Sequence, residues 1–146
     1  MIKVFLVEDE PIIRKGIRDN IDWAANGFQF VGEGGDGEYA YPLILETEPD
    51  ILVTDVKMPF MDGLELSRLV KKALPDIKIV ILSGYNEFDY AKEAIKMGIS
   101  DYILKPVTSA ALVEALKRVA DTIREERERE KLLERYFASY KKYTEF

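Results

Sequence analysis

Short β-rich apolar runs alternate with helix-length amphipathic stretches along this chain, and that alternation restricts the possible folds more than any other feature. Strand-like runs lie at about 2–7, 28–32, 51–54, 77–82 and 101–104. Between them, Pro11 to Asn20 opens with a proline suited to a first helical turn and carries Ile12, Ile13 and Ile17 at helical spacing. Gly37 to Thr47 carries Tyr39, Leu43 and Ile44. Gly63 to Leu74 carries Leu64, Leu66, Leu69 and Val70, and Pro75 ends it. Glu87 to Met97 carries Tyr90, Ala91, Ala94 and Ile95, with Gly98 as the stop. A fifth helix follows the last run. Strict alternation of this kind predicts an α/β fold, a parallel sheet with helices on both faces and right-handed crossovers.

Four of the runs end in groups with chemistry. Val7 leads into Glu8-Asp9, Thr54 into Asp55, Leu82 into Ser83, and Leu104 into Lys105-Pro106. In a parallel sheet all of these leave at the carboxyl edge, where open α/β sheets bind ligands. Three carboxylates, a hydroxyl and an ammonium gathered there suit a cation and a phosphoryl group. Oxygen donors without Cys or His select magnesium. Asp55 is a candidate nucleophile, because a carboxylate attacking phosphorus forms an acyl phosphate. Ser83 is placed to donate to a phosphoryl oxygen, and Lys105 is the cation placed to pair with Asp55 or its phosphate. Pro106 is a candidate for a cis peptide that aims Lys105 inward. The glycine-rich stretch Gly32 to Gly37 lacks the lysine of a phosphate-cradling loop and carries two acids, so it reads as a turn.

Composition removes other classes. With neither cysteine nor histidine, the chain has no disulfide frame, no His base, no phosphohistidine and no ordinary zinc site. No apolar stretch reaches the roughly 20 residues that span a bilayer, and the expected location is cytoplasmic. The net charge of −6 sits on residues 1–120, since 121–146 holds seven residues of each sign. An acidic body predicts no direct nucleic-acid binding by this segment.

The last helix has Ser109 as its expected N-cap and no obvious stop. Leu112, Leu116, Val119 and Ile123 form a 4-3-4 seam that runs on through Glu126, Glu130, Leu133, Phe137 and Tyr140. Two charged seam positions favour a single connector helix over a parallel coiled coil. The aromatic end (Tyr136, Phe137, Tyr140, Tyr143, Phe146) predicts cover by a partner chain or another domain.

Val7-Glu8-Asp9-Glu10, Asp55 to Gly63, Ser83-Gly84 and Lys105-Pro106, at these spacings, resemble the receiver domain of two-component response regulators over residues 1–120. Ile21-Asp22-Trp23, Gly27-Phe28 and Ser83 to Ala91 are similar to the subgroup fused to AraC-type helix-turn-helix domains (YesN-like). The resemblance implies a flavodoxin-like (βα)5 three-layer sandwich with sheet order 2-1-3-4-5. It implies that Asp55 is the phosphoacceptor and that Glu8, Asp9, Asp55 and the main-chain carbonyl of Lys57 bind Mg2+. Ser83 and Lys105 would contact the phosphoryl group, and Ser83 with Tyr102 would form the switch. The implied partners are a sensor histidine kinase and a second copy, meeting through helix four, strand five and helix five, with the C-terminal helix as a further dimer contact. Residues 121–146 would be a helical linker toward an output domain that controls transcription. Such a domain is no multiple-turnover enzyme, its phosphoryl-transfer chemistry being self-directed. The rival within the same fold is a non-phosphorylated dimerisation module, against which the intact Asp9, Asp55 and Lys105 argue. A phosphatase or phosphomutase would need a second acid beside the nucleophile and a substrate cap, which Val56-Lys57 and so short a body do not supply.

Overall fold

The computed structural model describes residues 1–84 and 86–144; Tyr85, within the Ser83-to-Ala91 motif, and Phe146 of the aromatic end lie outside the described residues. Five strands, β1 (Ile2–Val7), β2 (Phe28–Gly34), β3 (Ile51–Asp55), β4 (Lys78–Ser83) and β5 (Asp101–Leu104), alternate with five helices. These are α1 (Pro11–Asn20), α2 (Gly37–Thr47), α3 (Gly63–Ala73), α4 (Phe88–Lys96) and α5 (Ser109–Thr144), with a 3₁₀ turn at Ala24–Asn26 before β2. All pairings are parallel and the sheet order is β2-β1-β3-β4-β5. This is the flavodoxin-like arrangement.

Strand alternation sorts the core into two layers. Ile2, Val4, Leu6, Ile51, Val53, Val80 and Leu82 face α1 and α5, where Ile17, Ile21, Leu112, Leu116 and Ile123 complete the packing. Phe5, Val7, Leu52, Ile79 and Ile81 face α2, α3 and α4, against Ala40, Ile44, Leu64, Leu66, Val70 and Ala94. Because β1, β3 and β4 are covered on both sides, they read as continuous apolar runs. The order reverses at β1: the chain moves outward to β2, then returns to β3 on the other side. The crevice between the carboxyl ends of β1 and β3 is therefore the ligand position for this topology.

Several local features differ from the sequence expectations. The Gly32-to-Gly37 stretch is not simply a turn, because β2 runs through Gly34. A Cβ on Gly32 would sit 2.6 Å from the Phe5 ring, and one on Gly34 would sit 2.9 Å from the Ala40 Cβ. Close packing against β1 and α2 requires these glycines. Asp36 then caps α2, accepting from the Tyr39 N–H at 2.8 Å. The cap of α5 is Thr108, one residue before Ser109, with its Oγ1 accepting from the Ala111 N–H at 3.1 Å. On α1 only Ile17 of the three isoleucines is buried, and Ile12 is 88% exposed.

The Ile21-to-Phe28 motif closes the α1–β2 connection. The Trp23 indole donates to the Arg18 carbonyl at 3.0 Å, Asp22 Oδ1 accepts from the Ala25 N–H at 3.1 Å, and Gly27 takes φ 86°. Only glycine adopts that backbone without strain. No helix among the described residues is long and apolar enough to cross a membrane.

Candidate functional site

The β1 and β3 ends bring the acids together. Glu8 N–H donates to the Gly34 carbonyl at 3.1 Å and Arg14 Nη1 donates to the Glu8 carbonyl at 2.7 Å. These two bonds fix the main chain from which Glu8 and Asp9 project. Asp55 ends β3, and the loop beyond it folds tightly back: Gly63 N–H donates to the Val56 carbonyl at 2.7 Å, and Thr54 Oγ1 donates to the Asp55 carbonyl at 3.0 Å. A Cβ on Gly63 would lie 2.0 Å from the Asp55 carbonyl oxygen. The glycine of Asp62-Gly63 is thus a condition for Asp55's position as well as a turn residue. Asp62 caps α3 by accepting from the Leu64 and Glu65 N–H groups.

Glu8, Asp9 and Asp55 each offer a carboxylate oxygen within 4.8 Å of the others. Glu8 and Asp55 are buried, while Asp9 is half-buried. Lys105, whose N–H donates to the Ser83 carbonyl at 2.7 Å, sends its ammonium to Asp55 Oδ2 at 2.8 Å and to Glu8 Oε2 at 3.5 Å. The Lys105–Pro106 peptide is cis.

The electrostatics follow from crowding and burial. Burial pushes the Asp55 carboxyl up to about 7; the Lys105 hydrogen bond opposes this and the nearby Glu8 charge adds to it. Glu8 is also raised, by burial first, with Lys105 acting in the other direction. Burial tends to lower Lys105, but its hydrogen bond and attraction to Asp55, with help from Glu8, outweigh that and hold it above its ordinary value.

The residues fit a divalent cation. Asp55 Oδ1 is buried without a hydrogen-bond partner and Glu8 Oε2 has only its 3.5 Å ion pair with Lys105, and a buried carboxylate oxygen so poorly matched is costly. A hard cation on such a carboxylate set relieves that cost. Carboxylates with no sulfur or imidazole donor match magnesium's preferences.

Other expected groups stand around this cluster. Ser83 is buried at the end of β4, and its hydroxyl donates to Glu87 Oε2 at 2.5 Å. Tyr102 is half-buried and packs on the cluster formed with α2, α3 and α4. The Lys57 side chain is exposed. Arg14, Thr54 and Glu87 are supporting residues that sequence reasoning misses. Arg14 and Thr54 act through main-chain carbonyls, which no spacing rule marks. Glu87 lies within the Ser83-to-Ala91 motif, yet its contact depends on the turn between them. A cleft of about 340 Å³ lies elsewhere, between α5 and the loops that lead into β3 and β4, and it holds none of these groups.

Comparison with known proteins agrees with this geometry. The family model described as the response regulator receiver domain matches residues 4–117. The transcriptional regulatory protein YesN of Bacillus subtilis is 41% identical over 119 residues, which cover 82% of this chain and 32% of YesN. HptR of Staphylococcus aureus, also a transcriptional regulatory protein, is 37% identical over 126 residues, covering 86% of this chain and 49% of HptR. The chain therefore spans less than half the length of either relative. Among solved structures, the REC domain of AraT, a response regulator from Geobacillus stearothermophilus, superposes with a TM-score of 0.80 at 41% identity, covering 86% of this chain and 97% of that domain. The strand-end acids, the lysine opposite them, the sheet order and these matches lead to one conclusion: the chain belongs to the response regulator receiver domain family of two-component systems.

Proposed function

We propose that Asp55 accepts a phosphoryl group from the phosphohistidine of a sensor histidine kinase, and that this modification controls a transcriptional output. The observation that carries this reading is Asp55 itself, buried at a strand end with Lys105 Nζ at 2.8 Å and carboxylate oxygens of Glu8 and Asp9 within 4.8 Å. In the transfer, the phosphorus–nitrogen bond of the donor breaks, a phosphorus–oxygen bond to the Asp55 carboxylate forms, and the imidazole leaves as the neutral base on taking up a proton from solvent. Asp55 must be ionised to attack, and Lys105 favours that form against the pull of burial. Lys105 also stands ready to pair with the phosphoryl oxygens once the group has arrived. Glu8, Asp9, Asp55 and the Lys57 main-chain carbonyl would hold Mg2+. When bound, the ion supplies charge neutralisation between carboxylate and phosphoryl oxygens.

Phosphorylation adds roughly −1.5 to −2 charge to the pocket. Ser83 then turns to the new anion, and Tyr102 moves into the space released. The α4–β5–α5 surface changes with them, and its exposed Ile95 and Leu104 suit association with a second copy. This is a shift between two pre-existing states. Residues 1–120 form the receiver and 121–146 a helical linker toward an output domain. The naming of YesN and HptR as transcriptional regulatory proteins, and the share of each that the chain covers, support that division. A cytoplasmic location fits a partner of this kind.

The test is phosphotransfer from labelled acetyl phosphate or a labelled kinase. The wild-type chain should take up label only with Mg2+, and Asp55→Asn should lose it. Label on Asp55→Asn at the wild-type level rejects Asp55 as acceptor.

A further inference from the structure

The residue that holds Ser83 has no place in the mechanism so far. Ser83 Oγ donates to Glu87 Oε2 at 2.5 Å, and the Gly84 N–H donates to the same oxygen at 2.9 Å. The Glu87 N–H in turn donates to the Gly84 carbonyl at 3.2 Å. Glu87 is also the N-cap of α4, its carbonyl accepting from the Ala91 N–H at 3.1 Å. A side chain at that position ordinarily accepts from the helix's own first amides. Glu87 makes no such bond, and its carboxylate turns back onto the end of β4.

We propose that Glu87 is a positioning residue which withholds the Ser83 hydroxyl and the Gly84 amide from the Asp55 site until a phosphoryl group competes for them. The inference rests on Asp55 as phosphoacceptor and Ser83 as its phosphoryl contact. A serine hydroxyl has one hydrogen to give, so it serves Glu87 or the phosphoryl group but never both. Both rivals are anions, and bonds to ionised acceptors are the stronger kind. Glu87 therefore sets how much of the phosphoryl group's pull is used to free Ser83 before any switching occurs. Once displaced, its carboxylate no longer ties the first turn of α4 to β4. The exchange of partner at Ser83 thereby reaches the helix that carries Ile95 on its exposed side.

Two variants separate the parts of this inference. Glu87→Gln keeps an acceptor at the same reach and drops the charge, while Glu87→Ala removes both. In the presence of Mg2+, titration with beryllofluoride followed by ¹⁹F NMR should show binding tightened about tenfold or more in Glu87→Ala, the value of a hydrogen bond to a charged acceptor no longer broken. Glu87→Gln should fall between this variant and the wild type. In a Ser83→Ala background the gain from Glu87→Ala should shrink to about twofold, since only the Gly84 amide remains to be released. A second readout needs neither metal nor phosphoryl mimic: the Gly84 amide should exchange its hydrogen faster in ligand-free Glu87→Ala than in the wild type. Unchanged or weakened beryllofluoride binding in both single variants, with thermal midpoints near wild type, overturns the proposal, as does unchanged Gly84 exchange. Wild-type protein that fails to bind beryllofluoride with Mg2+ overturns the Asp55 reading itself, and this inference with it. Normal wild-type binding beside indifferent Glu87 variants rejects the Glu87 role alone.

Discussion

At the residue scale, burying the acidic cluster costs the fold stability. An aspartate in an unfolded chain loses its proton near pH 4, whereas folded Asp55 keeps it until about pH 7. Across that window the folded state binds more protons than the unfolded one, so the stability of the metal-free protein falls as pH rises from 4 to 7. Glu8, raised mainly by burial, acts in the same direction. The Asp55 shift corresponds to about 4 kcal/mol, and the bond that Lys105 loses on mutation returns part of it. Asp55→Asn should therefore stabilise the metal-free protein by about 1–2 kcal/mol at pH 8, with little gain at pH 5. Mg2+ should narrow the difference by stabilising the wild type through binding. Urea unfolding at both pH values, with and without Mg2+, checks this; equal gains at pH 5 and pH 8 contradict it. The candidate site is legible in sequence wherever a strand end names the residue, as at Glu8, Asp9, Asp55 and Lys105. It is illegible where a role passes through the main chain. Thr54 bonding the Asp55 carbonyl and Gly63 lying under that oxygen are facts of loop geometry, and no residue type announces them.

At the element scale, α5 is one helix with two environments. Leu112, Ala115, Leu116, Val119, Ala120 and Ile123 are buried against the sheet. Just beyond, Lys78 Nζ meets Glu126 at 2.8 Å and Arg127 meets Asp50 at 2.6 Å. Farther on, Leu132, Leu133, Tyr136, Phe137 and Tyr140 are exposed. Ile123→Ala should thus cost about 2–4 kcal/mol and visibly lower the thermal midpoint. Leu133→Ala should stay within about 0.5 kcal/mol of wild type. Thermal melts of dilute protein decide the matter, and equal losses would show that the distal half is packed as well. The 4-3-4 pattern runs across both halves unbroken, so periodicity alone does not locate where burial stops. The contact of the body with this helix extends to Arg127, past the residue at which composition changes. Similarly, α1 begins directly after the acidic loop. Ile12 has helical spacing there but remains exposed to solvent.

At the scale of the whole molecule, alternation of strand and helix makes the layered parallel architecture readable from sequence. The order β2-β1-β3-β4-β5 is not readable in that way. Right-handed crossovers allow several orders for five strands, and only the family resemblance picks this one. The order matters because it sets β1 beside β3, and hence Glu8 and Asp9 beside Asp55. If phosphorylation shifts the α4–β5–α5 surface toward association, sedimentation of the ligand-free chain should give a monomer. Mg2+ with beryllofluoride should move it toward a dimer, and Asp55→Asn should not respond. A wild-type sedimentation coefficient indifferent to both additions removes dimerisation from the proposed output.

The uninterrupted course of α5 has a mechanical consequence. At 1.5 Å per residue, the stretch from Arg127 to Thr144 projects about 25 Å past the last contact with the body. A tilt of about 5° at the buried half sweeps the far tip through about 2 Å. A stiff rod rooted in the core thus magnifies displacements too slight to notice at its base, and the ion pairs at Glu126 and Arg127 form the fulcrum.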